Sequence, residues 1–290
     1  MILVTGAAGK TGRAVLRALG ARGAAVRAMV HRPEQAEGLP ALGAMEVLAG
    51  DLRDAADVGR AMAGARAVYH ICPNVHADEV TISQVAIDAA REAGVDLFVY
   101  HSVLHPQVEA MPHHWLKMRV EERLFESGLD YVILQPAAYM QNVLAQWETV
   151  ARDGVYAMPY GIGTRLGMVD LDDVAAAAAR VLTEPGHDGA TYELAGPEAL
   201  TQTEVADVLG RQLGRRVKAR QVPLEDWAQR ARAAGLGEYK VETLLQMFRY
   251  YDVHGFWGNP RVLGWLLGRA PARFEAFVAR VAPQGGEDAV

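Results

Sequence analysis

The strongest constraint on the fold is a glycine-rich turn near the start of the chain. The run Thr5-Gly6-Ala7-Ala8-Gly9-Lys10-Thr11-Gly12 spaces its glycines as G-x-x-G-x-x-G, between the apolar stretch Ile2–Val4 and the helical pattern of Lys10–Arg22. In such a strand–turn–helix, the first glycine permits a tight turn, the second lets the backbone approach a pyrophosphate, and the third lets the helix pack closely on the strand. This context predicts a dinucleotide-binding βαβ unit.

The same turn also resembles the phosphate-binding loop of nucleoside triphosphatases, because Gly9-Lys10-Thr11 matches the end of that motif. The triphosphatase loop requires another glycine at the position of Val4, which lies inside the strand. The spacing therefore excludes that class. A dinucleotide would place its phosphates at the helix N-terminus, where free N–H groups carry partial positive charge. We expect cofactor contacts from Gly6, Ala7, Gly9, Lys10, Thr11 and Gly12.

Short apolar runs alternate with helical patterns over the first two-thirds of the chain. Such nearly continuous apolar runs are typical of parallel strands covered on both faces, and the alternation predicts an α/β fold with a doubly wound parallel sheet of the Rossmann type. The predicted helices include Lys10–Arg22, Thr81–Ala93 and Pro112–Ser127. The predicted strands are Ile2–Val4, Ala25–Val30, Met45–Leu48, Ala67–Ile71, Leu97–Tyr100 and Tyr131–Leu134.

The regular alternation of strand and helix patterns ends at Pro136, and helical patterns dominate after it. Two further strands are predicted at Leu166–Val169 and Thr191–Leu194, and Gln284–Val290 is expected to be a frayed tail. Helices are predicted at Ala138–Arg152, Asp172–Leu182, Thr203–Leu213, Leu224–Ala234, Val241–Tyr251 and Pro271–Val281.

Composition narrows the class of partner. The formal net charge of −6 over 290 residues argues against a nucleic-acid ligand, which would need clustered lysine and arginine. The sequence shows neither a signal peptide nor an apolar stretch of the roughly 18 to 20 residues that a membrane span needs. The single cysteine, Cys72, excludes an internal disulfide. We expect a cytoplasmic protein with a small-molecule substrate and no nucleic-acid or membrane partner.

The end of the second predicted strand bears on the choice between NAD and NADP. Folds that select NAD place an acidic residue there to bind the adenosine ribose, whereas this sequence has His31-Arg32. A carboxylate would repel a 2′-phosphate, and an arginine can bind it with a forked pair of hydrogen bonds. We predict that Arg32 contacts the cofactor and that NADP(H) is preferred. The alternative is NAD(H), with Arg32 simply solvating the strand end.

Asp51-Leu52 follows the third predicted strand. The carboxylate of Asp51 could accept a hydrogen bond from the adenine amino group while Leu52 flanks the ring. In the alternative interpretation, Asp51 only caps the helix that begins near Asp54.

Several segments of the sequence resemble one family. They are the glycine turn, Gly50-Asp51-Leu52, Val99-Tyr100-His101-Ser102-Val103 and Pro136-Ala137-Ala138-Tyr139-Met140-Gln141-Asn142. Together they resemble the NmrA-like group of atypical short-chain dehydrogenases. The resemblance covers nearly the whole chain and includes Asp170–Ala176 and Tyr192-Glu193-Leu194-Ala195-Gly196-Pro197.

The resemblance implies a Rossmann domain, a smaller and mostly helical C-terminal domain, and a substrate cleft between them. We expect the NAD(P)-binding domain to comprise 1–137, completed by about 163–196, and the smaller substrate-binding part to comprise 138–162 and 197–290. Ligands of parallel sheets bind at the carboxyl ends of the strands. In agreement with that rule, the resemblance implies that the cofactor is lined by Pro73, Asn74, Pro136 and Ala137.

Ordinary short-chain dehydrogenases place a tyrosine and, four residues later, a lysine on one helix, with a serine on the preceding strand. The lysine binds the nicotinamide ribose and lowers the pKa of the tyrosine, which then protonates the substrate oxygen. The corresponding residues here are His113, Lys117 and Ser102. Lys117 and Ser102 match the pattern, and His113 stands in place of the tyrosine. The alternative for Lys117 is a solvated helix lysine.

This replacement leaves three hypotheses about the proton donor. His113 could be the acid, because an unperturbed imidazole titrates at about 6.5, although a histidine at a helix start can also serve only the surface. Tyr139 or another aromatic residue could donate from the opposite wall. In the third hypothesis no dedicated donor exists, because the protein senses the cofactor or reduces a substrate that needs only hydride.

The opposite wall of the cleft is expected to come from the segment after the sixth strand and from the loop 154–167. These residues could line an apolar pocket for a flat or aromatic molecule, and the alternative is core packing beneath the loop. The predicted substrate contacts are Tyr139, Asn142 and Tyr160, with Met140, Tyr156 and Met158 beside them.

The histidines do not form a metal-binding pattern. His101 and His105 are separated by four positions, but Pro106 breaks any helix there, and His113 and His114 are adjacent and point in different directions. The sequence contains neither a His-Glu-x-x-His motif nor the Gly-x-Ser-x-Gly elbow of serine hydrolases. We predict no metal site.

Two functions remain. The first is an NADP(H)-dependent oxidoreductase that transfers hydride to or from a small, apolar carbonyl, quinone, imine or conjugated substrate. The second is a non-catalytic NADP(H)-binding redox sensor, a kind of protein that the NmrA-like group includes, which would bind a protein partner. An aromatic-rich segment around Phe248 and Trp257 is expected in the core or at the face of a homodimer.

Overall fold

The structure, a computed structural model, describes residues 1–282. The predicted tail Gln284–Val290 lies outside this range. The strands are β1 (Ile2–Val4), β2 (Val26–Val30), β3 (Ala44–Ala49), β4 (Ala67–His70), β5 (Leu97–His101), β6 (Tyr131–Pro136), β7 (Ala138–Tyr139), β8 (Val155–Met158), β9 (Arg165–Val169), β10 (Ala190–Leu194), β11 (Ala199–Thr201) and β12 (Lys218–Gln221). The helices are α1 (Lys10–Ala21), α2 (Ala55–Met62), α3 (Glu79–Ala93), α4 (Pro112–Phe125), α5 (Trp147–Asp153), α6 (Leu171–Thr183), α7 (Gln202–Gln212), α8 (Leu224–Ala233), α9 (Glu238–His254), α10 (Pro260–Leu267) and α11 (Phe274–Val281).

The core is a seven-stranded sheet with the order β10-β6-β5-β4-β1-β2-β3. Its pairings are all parallel. The order runs outward in both directions from β1 and β4, and such a switch point is where doubly wound sheets bind their ligands. The predicted Rossmann-type α/β fold is confirmed.

The sheet is covered on both faces because its strands are apolar on both sides. Side chains of successive strand residues point to opposite faces. Val4 and Val99 accordingly pack with the helices α1 and α6, whereas Leu3, Phe98 and Tyr100 pack with α2, α3 and α4. The two layers bring the loops at the carboxyl ends of the strands to one edge of the sheet.

Two smaller sheets stand beside the main one. In one of them, β9 pairs with β7 in parallel and with β11 in antiparallel orientation. In the other, β8 pairs with β12. The predicted strand Leu166–Val169 is present as β9, but it lies in this smaller sheet and not in the Rossmann sheet. Short pairings of this kind depend on partners distant in sequence, and β8, β11 and β12 carry no strand pattern of their own.

The predicted helix Ala138–Arg152 is wrong in its first half. Residues 138–139 are extended, and a 3₁₀ helix covers Met140–Gln146 before α5 begins. Ala138 and Tyr139 pair with Met168 and Val169. Beyond them, the Gln141 side chain donates to Asp170 (2.7 Å) and accepts from the Leu171 backbone (3.1 Å). These tertiary hydrogen bonds replace those of a continuous helix.

Among the C-terminal helices, α9 packs through buried aromatic residues and borders the cleft described below. Phe248, Tyr251 and Phe256 are buried, and Phe248 packs edge-on against Trp227 with ring centroids 4.8 Å apart. These aromatic residues therefore belong to the core, whereas Trp257 is exposed. Among the described residues, no helix combines the length and apolar character needed to cross a membrane.

Candidate active site

A cleft of about 820 Å³ opens at the carboxyl ends of the parallel strands. One half is formed by the turn after β1 and by the ends of β2 and β3, and the other half by the ends of β4, β5 and β6 together with β7, β8 and α9. This is the edge at which the topology predicts a ligand.

The glycine turn is shaped for close backbone approach. Gly6 has a φ of +58°, a conformation that side chains with a Cβ rarely adopt. A Cβ on Gly12 would lie 2.5 Å from the carbonyl oxygen of Gly6 and 2.6 Å from the Cα of Ala7. Both positions therefore require glycine, as the sequence pattern predicts.

The N-terminus of α1 fits a diphosphate. Gly9, Lys10 and Thr11 line the cleft. Within residues 1–282, no side chain caps α1 and its first turn carries no acidic residue. The N–H groups of that turn are therefore available to an anionic ligand, which the helix dipole favours. Ala7 differs from expectation: it is fully buried and its N–H donates to Met29 O (3.1 Å), while Ala8 lines the cleft.

The end of β2 presents a different set of residues from the one predicted. His31 and Gln35 line the cleft, whereas Arg32 is exposed outside its lining. Gln35 Oε1 accepts hydrogen bonds from the backbone N–H groups of His31 (3.1 Å) and Arg32 (3.0 Å), which fixes this loop. Arg53, which the sequence analysis did not single out, lines the same end of the cleft.

Asp51 and Leu52 lie in the cleft as predicted. Asp51 is paired with Arg53 through three guanidinium contacts, at 2.6, 3.1 and 3.2 Å. These hydrogen bonds lower the pKa of Asp51 to about 2. The alternative role of capping α2 belongs to Asp54, which accepts from Ala56 N and Asp57 N. Asp51 therefore borders the cleft as one member of an ion pair with Arg53 and not as a helix cap.

The ends of β4 and β6 lie opposite each other across the cleft. Pro73 and Asn74 line it after β4, and Pro136 and Ala137 line it at the end of β6. Cys72 also borders the cleft but is buried, and burial raises the pKa of its thiol. The thiol is therefore protonated at neutral pH and behaves as a small apolar group.

Lys117 is held by a buried carboxylate. Its Nζ donates to Glu79 Oε1 (2.9 Å) and to the backbone oxygen of His101 (3.1 Å). Tyr100 donates its hydroxyl to the same Glu79 oxygen (2.8 Å). The Glu79 side chain is only 3% exposed and that of Lys117 12%. Lys117 thus borders the cleft as predicted, with its charge already paired by a residue that the sequence analysis missed.

Ser102 also borders the cleft, but its hydroxyl points to another buried carboxylate. Ser102 Oγ donates to Glu121 Oε1. The Gln135 amide donates to both oxygens of that carboxylate, at 3.0 and 3.1 Å. Burial nevertheless raises the pKa of Glu121. In this arrangement the serine hydroxyl helps to satisfy Glu121, and its predicted role toward a ligand stays a prediction.

His113 lines the cleft beside His114. Burial, aided by the neighbouring His114 and Lys117, lowers the pKa of His113 to about 3. Its Nδ1 atom is buried without a hydrogen-bond partner in the described structure. A histidine with so low a pKa is neutral at pH 7 and carries no imidazolium proton to give. The low pKa therefore argues against His113 as the acid, and its predicted role stays a prediction.

Tyr139 occupies the position between the glycine turn and the end of β5. Its hydroxyl lies 3.2 Å from Thr11 Oγ1 and 2.7 Å from His101 Nε2. His101 Nδ1 in turn lies 2.6 Å from the hydroxyl of Tyr69. Nothing local in the sequence indicates that β4 and β5 bring Tyr69 and His101 together, so this contact could not be predicted.

The remaining wall is apolar. Tyr160 borders the cleft as predicted, and Asn142 lies at its rim, where Lys10 Nζ donates to Asn142 Oδ1 across the opening (3.4 Å). The apolar lining consists of Tyr156, Met158, Tyr160, Leu166, Met168, Leu244, Met247, Phe248, Tyr251 and Phe256. Thioether and aromatic side chains of this kind suit a flat apolar ligand.

Known proteins share this architecture. An NAD(P)H azoreductase of Xenophilus azovorans is 32% identical over 250 residues, which cover 86% of this chain and 86% of that protein. An NADPH-dependent quinone oxidoreductase of Escherichia coli, solved with NADPH, is 29% identical with a TM-score of 0.85, over 97% of this chain and 99% of that one. The triphenylmethane reductase of Citrobacter sp., solved with NADP(H), is 25% identical with a TM-score of 0.85, over 97% and 99%.

The family model agrees with these neighbours. The NmrA-like family matches residues 1–274, which include the glycine turn, the cleft and nearly all of the C-terminal helices. The predicted resemblance is confirmed, and the chain belongs to the NmrA-like family.

Proposed function

We propose that this protein uses NADPH to reduce flat, uncharged aromatic compounds of the quinone and azo type. The predicted reaction class and cofactor, an NADP(H)-dependent oxidoreductase, are confirmed by relatives named as azoreductase, quinone oxidoreductase and triphenylmethane reductase. The charge and shape of the substrate are inferred from the cleft.

One observation carries the proposal: the charged residues that line the cleft all belong to the cofactor side. They are Lys10, Asp51, Arg53 and Lys117. The wall around Tyr156, Met168 and Phe248 contributes no Asp, Glu, Lys or Arg among the described lining residues. A charged substrate group placed there would lose its hydration without gaining a partner. An uncharged aromatic ring would bury apolar area instead.

Different residues of the chain would bind the different parts of the cofactor and the substrate. The first turn of α1 would bind the diphosphate, and Arg53 with Arg32 nearby would hold the 2′-phosphate. Pro136 and Ala137 would position the nicotinamide, which supplies hydride when NADPH is bound. The apolar wall would hold the substrate ring and exclude water.

The test is a substrate panel read by NADPH oxidation. It contains a neutral quinone, a neutral azo compound, a sulfonated azo dye and a cationic triphenylmethane dye. We expect kcat/KM for the neutral compounds to exceed that for the sulfonated dye by at least about 10-fold, because burying an unpaired charge costs more than 1 kcal/mol. Equal rates on all four would contradict the proposal.

A matched pair of variants separates the effect of a carboxylate in the apolar wall from the effect of an added surface charge. Met247→Glu places a carboxylate on the half-buried face of α9 in the cleft, whereas Met45→Glu places one on β3, where Met45 is 70% exposed. We expect Met247→Glu to raise KM for the neutral quinone by about 10-fold and Met45→Glu to leave it unchanged.

The sensor function predicts another result in the same assay. Tight NADPH binding without turnover of any compound would favour a sensor, which would need a protein partner.

We further propose a cytoplasmic location, which a single buried thiol supports. A homodimer is tested by light scattering.

A further inference from the structure

Two tyrosines and a histidine form a hydrogen-bonded series that ends in the cleft. The Tyr69 hydroxyl contacts His101 Nδ1 at 2.6 Å, and His101 Nε2 contacts the Tyr139 hydroxyl at 2.7 Å. Tyr69 is fully buried, whereas His101 and Tyr139 border the cleft beside Thr11. The series therefore connects the interior of the sheet to the ligand surface.

The buried end sets the direction of donation. Within residues 1–282, the only hydrogen-bond partner of the Tyr69 hydroxyl is His101 Nδ1. A buried hydroxyl that keeps its proton unpaired is strongly disfavoured, so Tyr69 donates and Nδ1 accepts. Burial, with the charge of Lys117, lowers the pKa of His101 to about 3, so the ring is neutral. A neutral imidazole has one donor and one acceptor nitrogen, and Nε2 must carry the proton.

The direction of the hydrogen bonds at His101 determines where the hydroxyl proton of Tyr139 can point. Because Nε2–H donates to the Tyr139 oxygen, the hydroxyl proton of Tyr139 is not used by His101. It can point to Thr11 Oγ1, 3.2 Å away, or to a ligand in the cleft. Burial raises the pKa of Tyr139, so this proton is present at neutral pH. The opposite tautomer would turn the proton toward the ring and away from the cleft.

We propose that Tyr69 and His101 are positioning residues that aim the Tyr139 hydroxyl at the substrate atom on which negative charge develops as hydride arrives. This inference rests on the proposed function. Tyr139 then acts as a preorganised hydrogen-bond donor in a desolvated site. No proton leaves the series, because that would leave a buried phenolate at Tyr69. The proton that completes the reduced product comes from solvent water as the product leaves the cleft.

The tautomer of His101 is measured directly by ¹⁵N–¹H correlation spectra of the histidine rings, recorded with and without NADP⁺. His101→Gln assigns the signals by removing one ring. We expect the Nε2–H tautomer in the wild type. In Tyr69→Phe, which deletes the hydroxyl facing Nδ1, we expect a shift toward the Nδ1–H form. A wild-type ring protonated on Nδ1, or a tautomer that ignores Tyr69→Phe, overturns the proposal.

Kinetics tests the end of the series in the cleft. Tyr139→Phe is expected to lower kcat for a neutral quinone on the order of 100-fold, the usual loss for one such donor. Tyr69→Phe is expected to lower kcat about 5-fold, equivalent to one hydrogen bond. In both variants the KM for the quinone should change less than about 2-fold, because the apolar wall provides substrate binding.

A matched control lies outside the cleft. Tyr192 and His187 form a tyrosine–histidine hydrogen bond of similar length, 2.9 Å, and Tyr192→Phe should leave kcat unchanged. An unchanged kcat in Tyr139→Phe overturns the proposal. If the wild type shows the expected tautomer but reduces no compound of the panel, the proposed substrates are wrong while the direction of the series is supported.

Discussion

The two ends of the cleft offer ligands opposite environments. The end formed by β2 and β3, where we propose that the adenosine binds, is exposed and ionic, with the Asp51–Arg53 pair and the exposed Arg32 shortly after β2. At the other end, charges are buried and already paired, as in Lys117–Glu79, and the ring of His101 is neutral. The first end attracts phosphate through charges that salt screens. The second acts through neutral dipoles and apolar surface, so it can stabilise a reaction that starts from an uncharged substrate.

The largest expected effect tests the buried pair. Lys117→Met leaves the Glu79 carboxylate, 3% exposed, without its cation. Breaking a buried pair in this way typically costs about 3–5 kcal/mol of unfolding free energy. The double variant Lys117→Met/Glu79→Gln should recover most of that loss in urea unfolding. Simple addition of the two single losses would show that the residues are not coupled.

The same double variant tests the predicted role of Lys117 toward the cofactor. If Lys117 holds the nicotinamide ribose, the double variant should fold and still bind NADPH more weakly than the wild type, by about 10-fold for a lost charge-assisted hydrogen bond. Titration of NADPH fluorescence measures this. Unaltered binding and turnover would remove Lys117 from the mechanism.

At the exposed end of the cleft, we expect a substitution in the glycine turn to lower the unfolding free energy nearly as much as Lys117→Met does. Gly12→Ala places a Cβ 2.5–2.7 Å from backbone atoms of the turn, so the turn must move. We expect a loss of about 3 kcal/mol of unfolding free energy, together with a loss of NADPH binding in calorimetry.

The control for this variant is Gly59→Ala, also in a helix, where a Cβ would meet no atom within 4 Å. It should gain about 0.5–1 kcal/mol, because alanine is the better helix former. If both variants behave alike, the close packing at Gly12 is not what constrains the turn.

Acidic pH should lower the stability of the protein through the histidines at the buried end of the cleft. Burial lowers the pKa of His70 to about 4 and that of His101 to about 3, against about 6.5 in the unfolded chain. The unfolded state therefore binds more protons between these values, and stability falls as pH decreases below about 6.5. Burial lowers the pKa of His113 and His114 in the same way, so each of these four histidines should cost about 2 kcal/mol of unfolding free energy between pH 7 and pH 5.

Urea unfolding at the two pH values checks this. His101→Gln should reduce the difference by the share of one histidine, whereas His254→Gln, on the surface, controls for the loss of an imidazole. Equal stability of the wild type at pH 7 and pH 5 would contradict the burial of neutral histidines. Glu121 acts in the opposite sense, because its pKa is raised, but it is a single group.

The smallest effect concerns the phosphate at the exposed end. Arg53→Ala and Arg32→Ala should each raise the Kd for NADPH by about 10-fold, with little change for NADH, because an exposed charge is partly screened. The increase in Kd caused by each variant should be smaller at high salt. Wild-type NADH binding as tight as that of NADPH would contradict both assignments.

The ionic end could be predicted from the sequence because its signals are local. Gly6, Gly9 and Gly12 lie within seven residues of one strand–turn–helix, and Asp51 directly follows a strand. Even there, the sequence indicates Arg32 but not Arg53, because the side chain that borders the cleft depends on how two strand ends lie beside each other.

The sequence alone thus determined the parallel α/β fold, the glycine turn and the dinucleotide, because strand and helix periodicity and glycine conformation are properties of neighbouring residues. Tertiary structure decided which side chains meet at the buried end of the cleft. Glu79 and Lys117 are 38 positions apart, and Tyr69 and His101 are 32 apart. Whether such groups meet depends on strand order, register and burial, which also set their protonation. The glycine turn indicates the cofactor, and the packed strands bring together the groups for which we propose a role toward the substrate.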